Sequence, residues 1–292
     1  MSEEKQLEFT GERFTPECVR EIWYEHYHRY AFAKKFVKGK KILDAACGEG
    51  YGSHILSSYA NQVVGVDIDE ISISHAKNKY SKANLSYMVA SCANLPFDDG
   101  SFDIIISFET LEHLAEQQQM LEEFNRVLSK NGILIISTPD KKHYSDATGF
   151  TNEFHVKELY KEEFKALLDR HWKHQYWYSQ AMTFNSVIER HDSIEKVYSS
   201  DILNKVELEE DRSMLTPMYY IVVVSKKLDK KMKLPDLHIF ADKQQSVYAH
   251  YNKTIKDYIY LANKHNDLMK KLDKWLSIPI LGKIIKILDK RT

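Results

Sequence analysis

Cysteine is scarce in this chain of 292 residues, and its three copies lie far apart. Cys18, Cys47 and Cys92 form no C-x-x-C pair, so the sequence predicts neither a disulfide framework nor a cysteine-ligated zinc site. Such usage is typical of proteins in a reducing compartment. We therefore expect a cytoplasmic protein.

An excess of charge of one sign and a long hydrophobic run are also missing. The net charge is −1, from 41 basic and 42 acidic residues, whereas nucleic-acid-binding domains are usually strongly basic. No stretch approaches the roughly 18 apolar residues that a membrane-spanning helix needs, and the polar N-terminus lacks the apolar core of a signal peptide. Nucleic-acid binding, export and membrane spanning are therefore disfavoured.

Glycine is uncommon, at ten residues, yet three of the ten alternate just after the first apolar run. Ile42 and Leu43 predict a buried parallel strand, and Gly48, Gly50 and Gly52 follow it in the sequence DAACGEGYG. Glycine permits positive φ and the close backbone approach that a ligand across the end of a strand requires. Because the spacing is not G-x-G-x-x-G, a dinucleotide-binding fold is not the first interpretation.

A second motif, VVGVDID, places Asp67 at the end of the next predicted strand. A carboxylate about 20 residues after the glycine loop can accept hydrogen bonds from both hydroxyls of a ribose. Together with ANLPFDDGSFDIIIS at residues 93–107, these motifs resemble the class I S-adenosylmethionine (SAM) methyltransferases. The resemblance implies that SAM lies across residues 44–52. The cofactor-binding residues expected on this basis are Arg29, Asp44, Ala46, Gly48, Gly50, Asp67 on the ribose, Ile68, Ser91 and Cys92 near the adenine, Ala93, and Phe108 at the methionine end.

Strand and helix patterns alternate five times up to residue 137, which predicts a doubly wound, mostly parallel α/β sheet. Helices are predicted over 69–80, 114–129 and 160–170. The resemblance implies a seven-stranded Rossmann-like sheet whose final strands, His174–Ser179 and Tyr219–Ser225, are antiparallel. Residues 138–155 are a long polar connection of the kind that usually carries function. Residues 180–217 contain no motif that we can interpret.

The segment before the first strand, residues 8–30, is rich in aromatic residues, histidine and arginine and is predicted to cover the cofactor. A guanidinium at Arg29 suits the SAM carboxylate, as lid arginines do in related methyltransferases. The alternative is a surface ion pair with Glu25, four residues earlier on the same helix.

Four residues are candidates for the chemistry. Glu109, Glu112 and His113 follow the fourth strand at spacings i, i+3 and i+4, and a helix that begins near Thr110 would place all three on one face. Two carboxylates and an imidazole suit a divalent metal, Mg²⁺ or Mn²⁺ by their oxygens and Zn²⁺ or Fe²⁺ by the imidazole. The pattern E-x-x-E-H resembles that of small-RNA 2′-O-methyltransferases, and this resemblance implies a further ligand at His155.

Two mechanisms stay open at this point. A metal on Glu109, Glu112, His113 and His155 would lower the pKa of a substrate hydroxyl. The sequence EHL is also widespread in methyltransferases that need no metal, and His113 or His155 would then be the general base. The catalytic candidates are therefore Glu109, His113 and His155.

Over about residues 10–180, the motifs TGERFTP, EHYHRY, SFETLEHL and NEFHVKEL resemble bacterial methyltransferases of surface-polysaccharide, O-antigen-type pathways. This resemblance implies SAM-dependent O-methylation of a sugar hydroxyl. The alternatives are methylation of a small phenol or quinone precursor, and a SAM-binding assembly subunit without catalysis. An RNA substrate is disfavoured by the charge.

The C-terminal part of the chain differs in composition. From Lys226 onward, 15 Lys and one Arg stand against seven Asp, a net charge of +9. A short, imperfect coiled-coil seam, which predicts a homo-oligomer, runs through Val247, Tyr251, Leu261, Leu268, Leu272 and Trp275 and is interrupted at Thr254 and His265.

A basic amphipathic segment follows Pro279, with apolar positions such as Ile280, Ile284 and Leu288 flanked by lysines. Such segments lie on anionic membrane surfaces or dock on partners, here the inner face of the membrane or a glycosyltransferase; the alternative is packing on the catalytic domain. The predicted division is a lid at 1–36, a SAM-binding domain at 37–227 and a helical tail at 228–292.

Overall fold

The apolar runs of the sequence form a seven-stranded sheet in the computed structural model of the protein, which describes residues 21–183, 200–202, 208–210, 215–227, 233–242 and 246–278. The described residues form nine strands, seven in this sheet and two in a separate pair. They are β1 (Lys41–Ala45), β2 (Gln62–Asp67), β3 (Leu85–Val89), β4 (Phe102–Ser107), β5 (Leu128–Pro139), β6 (His174–Gln180), β7 (Ser200–Ile202), β8 (Leu208–Glu210) and β9 (Tyr219–Ser225).

The main sheet has the order β3-β2-β1-β4-β5-β9-β6, and its first four pairings are parallel. Strand β9 runs antiparallel to both β5 and β6. The predicted mostly parallel, Rossmann-like α/β fold is confirmed. Since the chain reverses its direction of travel across the sheet between β1 and β4, a crevice opens at the carboxyl ends of these strands, where open α/β sheets bind ligands.

Six α-helices are described, α1 (Glu21–Ala33), α2 (Tyr51–Ser57), α3 (Glu70–Lys79), α4 (Gln117–Val127), α5 (Lys161–Asp169) and α6 (Ser246–Leu276). Asp69 caps α3 by accepting a hydrogen bond from the Ser72 backbone N–H at 2.8 Å. The predicted helix 114–129 is shorter than expected, because Leu114 is extended, with φ −106° and ψ 136°. Residues 111–113 form a single 3₁₀ turn instead.

The sheet is covered on both faces by apolar clusters. One cluster joins Phe124 of α4 and Phe164 of α5 to strand residues such as Ile105, and the other joins Tyr30 and Phe32 of α1 to Ile106. The α1 helix therefore belongs to the same core as the strands that surround the crevice.

The C-terminal part of the chain is a separate compact unit, since the chain divides into Met1–Phe240 and Ala241–Thr292. The division predicted from the sequence remains a prediction. Within the uninterpreted stretch 180–217, the described parts include β7 and β8, which pair antiparallel. The basic amphipathic segment after Pro279 lies outside the described residues. None of the helices in the described ranges combines the length and apolar character that crossing a membrane requires.

Gly52 has a different role from the one predicted. It lies in α2, and a Cβ at this position would be 1.9 Å from Cζ of Tyr30. We expect Gly52→Ala to displace the Tyr30 ring and to lower the free energy of unfolding by about 1–3 kcal/mol, even though alanine favours helices. Thermal denaturation measures this loss.

The control is the same substitution in a Tyr30→Leu background. If the ring causes the loss, Gly52→Ala should cost much less there, because neighbouring substitutions are not additive. Equal costs in the two backgrounds would contradict the proposed contact.

Candidate active site

A cavity of about 930 Å³ opens at the carboxyl ends of the central strands. This volume is in the range of sites that bind a cofactor-sized molecule. Its walls come from α1, from the loops after β1, β2, β3 and β4, and from the polar connection after β5. Thirteen of the fifteen predicted site residues border it: Arg29, Ala46, Gly48, Asp67, Ile68, Ser91, Cys92, Ala93, Phe108, Glu109, Glu112, His113 and His155.

The loop after β1 turns sharply beside Asp67. Ala46 and Gly48 both have positive φ, at 61° and 54°. The Gly48 backbone N–H donates to Asp67 Oδ2 at 2.8 Å, and the Asp69 backbone N–H donates to Oδ1 at 3.0 Å. These two bonds fix the carboxylate at the cavity and leave each oxygen with further acceptor capacity. The arrangement suits a ligand with neighbouring hydroxyls, as the predicted ribose contact requires.

The residues predicted to contact adenine form one wall of the cavity. Ile68 is 74% exposed, which is unusual for a large apolar side chain. Also bordering the cavity, the Ser91 hydroxyl accepts a hydrogen bond from the Ala93 backbone N–H at 3.2 Å, and Cys92 is buried. An apolar side chain beside a short polar loop suits a planar heterocycle.

Two of the predicted cofactor-binding residues do not border the cavity. Asp44 is buried, and its Oδ2 accepts a hydrogen bond from Ser53 at 2.6 Å while Tyr30 donates to both carboxylate oxygens. Burial raises the pKa of this carboxyl to about 6, although the two hydroxyl donors act in the opposite direction. Gly50, with φ 89°, faces the Tyr87 ring, so its lack of a Cβ serves packing.

Arg29 is buried on α1 at the edge of the cavity. Its Nε donates to Gln180 Oε1 at 2.9 Å, its Nη2 lies 3.5 Å from Glu109 Oε2, and its guanidinium lies 4.4 Å from the centroid of the Tyr219 ring. The alternative of a surface ion pair is wrong, since the side chain is buried. Nη1 is also buried and has no hydrogen-bond partner within the described ranges. A ligand carboxylate would satisfy it.

Glu109 does not share a helix face with Glu112 and His113, so that premise was wrong. Its φ is +50°, the left-handed region that few residues other than glycine adopt. The Glu109 backbone N–H donates to Ser137 Oγ at 3.1 Å, and the Ser137 hydroxyl donates back to Glu109 Oε1 at 2.6 Å. These reciprocal bonds hold the strained backbone and aim the carboxylate at Arg29.

Glu112 is the most deeply buried carboxylate bordering the cavity, at 1% exposure. Its Oε2 accepts a hydrogen bond from Thr138 at 3.0 Å, whereas its buried Oε1 has no hydrogen-bond partner in the described part of the chain. Burial raises its pKa well above the ordinary value, and the negative charge of Glu109 adds to this effect. Glu112 is therefore poised to hold a proton or to meet a cation.

His113 and His155 meet beside Glu112, with ring centroids 4.9 Å apart. His113 Nδ1 lies 3.0 Å from the Phe154 carbonyl oxygen, which can only accept, so Nδ1 carries a proton. His155 Nδ1 lies 2.6 Å from Glu158 Oε1, and its Nε2 lies 3.0 Å from the Asn152 amide nitrogen. Both imidazoles thus donate from Nδ1 and direct Nε2 away from these acceptors.

The predicted four-residue cluster is brought together only in part. Ligand atoms of Glu112, His113 and His155 all lie within 4.8 Å of one another, as a group that could hold a metal ion, and Glu109 is not a member of it. The polar connection after β5 does carry site residues, as predicted: besides His155 it places Tyr144, Phe150 and Asn152 on the cavity wall.

Several residues with a role in the site escaped the sequence analysis. Ser137 and Gln180 lie far along the chain from Glu109 and Arg29, so no local pattern could identify them. Glu158 had a usable signal, because it follows His155 by three residues and could have been proposed as its partner. No role in the site was predicted for Tyr30, although its hydroxyl donates to Asp44.

Comparison with known proteins gives a family match for part of the chain. Residues 43–136 match the family described as a methyltransferase domain. A probable S-adenosylmethionine-dependent methyltransferase of Mycobacterium tuberculosis is 34% identical over 165 residues, which is 56% of this chain and 60% of that protein. A ubiquinone biosynthesis O-methyltransferase of Coxiella burnetii is 36% identical over 104 residues, 35% of this chain and 44% of that protein. The chain thus spans less than two thirds of the length of these relatives.

Solved structures show the fold. A SAM-dependent methyltransferase of Thermotoga maritima is 17% identical, with a TM-score of 0.51 over 70% of this chain and 90% of its own. A protein of Pyrococcus horikoshii is 20% identical, with a TM-score of 0.50 over 72% of this chain and 92% of its own.

Proposed function

We propose that this chain, which carries a class I SAM-dependent methyltransferase domain, transfers a methyl group from SAM to a hydroxyl group of a small ring compound. The observation that carries the proposal is the cluster of Glu112, His113 and His155 at the cavity that Asp67 also borders. An imidazole beside a buried carboxylate is suited to remove a proton from a hydroxyl.

The residues around the cavity fit SAM. Asp67 would accept the ribose hydroxyls, Ile68 would cover the adenine, and the unpartnered Nη1 of Arg29 would bind the methionine carboxylate. SAM would supply a methyl group on a sulfonium, which an oxygen nucleophile can attack in line. Glu109 would place negative charge on the side of the cavity where the sulfonium lies.

His113 is the favoured general base. Because its Nδ1 proton is held by the Phe154 carbonyl, its Nε2 can accept the proton of the attacking hydroxyl. Glu112 Oε1, 3.9 Å from Nε2, would stabilise the resulting imidazolium. His155 would orient the substrate with the partners Glu158 and Asn152.

A divalent metal is the alternative to a protein base. The buried, unpartnered Oε1 of Glu112 and the two imidazoles fit such an ion, and the Nδ1 contacts to Phe154 and Glu158 are the kind that orient histidine ligands. The ion would polarise the substrate hydroxyl. His155 Nε2 already accepts from Asn152, whose Oδ1 is engaged by the Phe154 backbone N–H, so this amide would have to move.

A sugar is our first substrate class, and a phenol or quinone precursor is the second. Polar side chains at the cavity, among them Asn94, Glu116 and Gln119, can bind several hydroxyls, as a sugar requires. Tyr144 and Phe150 offer ring faces for either class. The similarity to a ubiquinone biosynthesis O-methyltransferase favours a phenol.

The test is methyl transfer by the purified full chain from labelled SAM to nucleotide-linked sugars and to catechol-type phenols, with product detection by mass spectrometry. We expect His113→Ala to lower kcat about 10²–10⁴-fold, the usual contribution of a general base. The control is His143→Ala, since His143 sits in the connection after β5 that also carries His155, pairs with Asp140 and does not border the cavity.

Chelation separates the two mechanisms. With a protein base, activity should survive exhaustive treatment with EDTA. Loss of activity with EDTA, restored by one divalent metal, would show that a metal site activates the hydroxyl in place of a protein base. Binding of SAM without release of S-adenosylhomocysteine for any acceptor would instead favour an assembly subunit.

A further inference from the structure

We propose that the C-terminal helix α6 pairs with α6 of a second copy of this chain as an antiparallel coiled coil. Its 31 residues are described as one uninterrupted helix, about 46 Å long at 1.5 Å per residue. The proposal concerns this unit alone and is independent of the proposed catalytic function.

The seam of α6 keeps one heptad register, with two polar residues among its a and d positions. The d positions are Val247, Thr254, Leu261, Leu268 and Trp275, and the a positions are Tyr251, Tyr258, His265 and Leu272. Tyr258 and Leu261, in the middle of the helix, are 73% and 61% exposed. Side chains of this size at a and d positions are normally covered by a partner helix.

The e positions widen this apolar face. They are Tyr248, Ile255, Ala262, Met269 and Leu276, so the apolar face extends over the a, d and e positions with Thr254 and His265 as its two polar members. In a parallel pair, each e position would face a g position of the partner, and Asp257 and Lys264 at g would lie against Ala262 and Met269. Charged residues would thus meet apolar ones. In an antiparallel pair, e faces e and apolar side chains meet each other.

The pattern is also symmetric about the middle of the helix, as an antiparallel pair requires. When the two helices are aligned at their midpoints, the core layers join Val247 to Leu272, Tyr251 to Leu268 and Tyr258 to Leu261 of the other copy. The two polar interruptions, Thr254 and His265, fall in the same layer, where a hydroxyl and an imidazole can hydrogen-bond.

The charges beside the seam favour the same register. Asp257 and Lys264, both at g positions, face each other across the antiparallel pair, and two-fold symmetry gives this contact twice. The complementary pair of Asp257 and Lys264 and the apolar e positions together identify a second copy as the partner, because an anionic membrane would gain nothing from this symmetry.

Light scattering on the full chain tests the association. We expect a particle of twice the 34.2-kDa chain mass. Leu261→Glu should give a monomer, since it puts a charge in the central layer, whereas Lys256→Glu on the opposite face of α6 should leave the dimer intact. Circular dichroism shows that each variant is folded. A monomeric wild-type chain, including one that instead binds anionic vesicles, or a Leu261→Glu variant that stays dimeric would overturn the proposal.

Thiol crosslinking tests the orientation. In a Cys18→Ser background, Val247→Cys and Leu272→Cys chains treated separately with a short bis-maleimide should not crosslink through α6. In an antiparallel pair, the thiol introduced into one chain lies about 37 Å from the equivalent thiol of the other chain. A mixture of the two variants should give a covalent dimer that joins residues 247 and 272. Crosslinking of either variant alone would show a parallel pair and overturn the proposed orientation.

Discussion

Asp67→Ala should weaken SAM binding about 100-fold or more, as measured by titration calorimetry on the purified chain. The wild-type carboxylate is held by the Gly48 and Asp69 backbone N–H groups, at 2.8 Å and 3.0 Å, and would accept two hydroxyl hydrogen bonds from the ribose. Hydrogen bonds to a charged acceptor contribute about 1.5–3 kcal/mol each, so two of them account for this factor.

Asp103→Ala is the matched control for this result. Asp103 is also an aspartate on a central strand that accepts a backbone hydrogen bond, from Lys41 at 2.9 Å, but it does not border the cavity. Its removal should leave SAM affinity unchanged. Asp67→Asn keeps the shape and one acceptor oxygen and should fall between Asp67→Ala and wild type. An unchanged affinity for Asp67→Ala would remove this residue from the cofactor site.

The parts of the fold that the sequence predicted well are those determined by neighbouring residues. Buried parallel strands such as β2 and β4 are continuous apolar runs bounded by polar turns, and α3 begins at its own aspartate cap. The loop geometry at Gly48 and Gly50 follows from glycine itself. Because these signals lie within a few residues of the strands and helices they specify, the local sequence was sufficient to predict those elements.

The site depends on contacts between distant parts of the chain, and there the prediction was less complete. Glu109 was assigned to a helix by its spacing from Glu112, yet its backbone is left-handed because Ser137, 28 residues later, bonds to both its N–H and its carboxylate. Arg29 likewise donates a hydrogen bond to Gln180, 151 residues further along the chain. Spacing along the chain cannot reveal such partners, although it did identify the residue types that meet at the cavity.

Glu112→Gln should lower kcat about 100-fold and, unusually for a buried substitution, stabilise the protein at neutral pH. Burial, reinforced by Glu109, raises the pKa of Glu112 well above 4.5, so the folded protein holds this proton more tightly than the unfolded chain. Stability from this proton is fully present below the unfolded pKa and is lost as pH rises towards the folded pKa. Glutamine keeps the shape of the protonated acid and cannot lose a proton.

Thermal denaturation of both proteins between about pH 4 and pH 8 measures this effect. The variant and the wild type should unfold at similar temperatures at the acid end, and the variant should gain up to about 1.4 kcal/mol per pH unit above it, or about 2–4 °C in Tm. Exposed Glu122 provides the control, and Glu122→Gln should change neither Tm nor kcat. A Tm difference that stays constant across this range would mean that Glu112 titrates like a solvent-exposed carboxyl. The arrangement of Glu112 with His113 and His155 would then not depend on a proton held by Glu112.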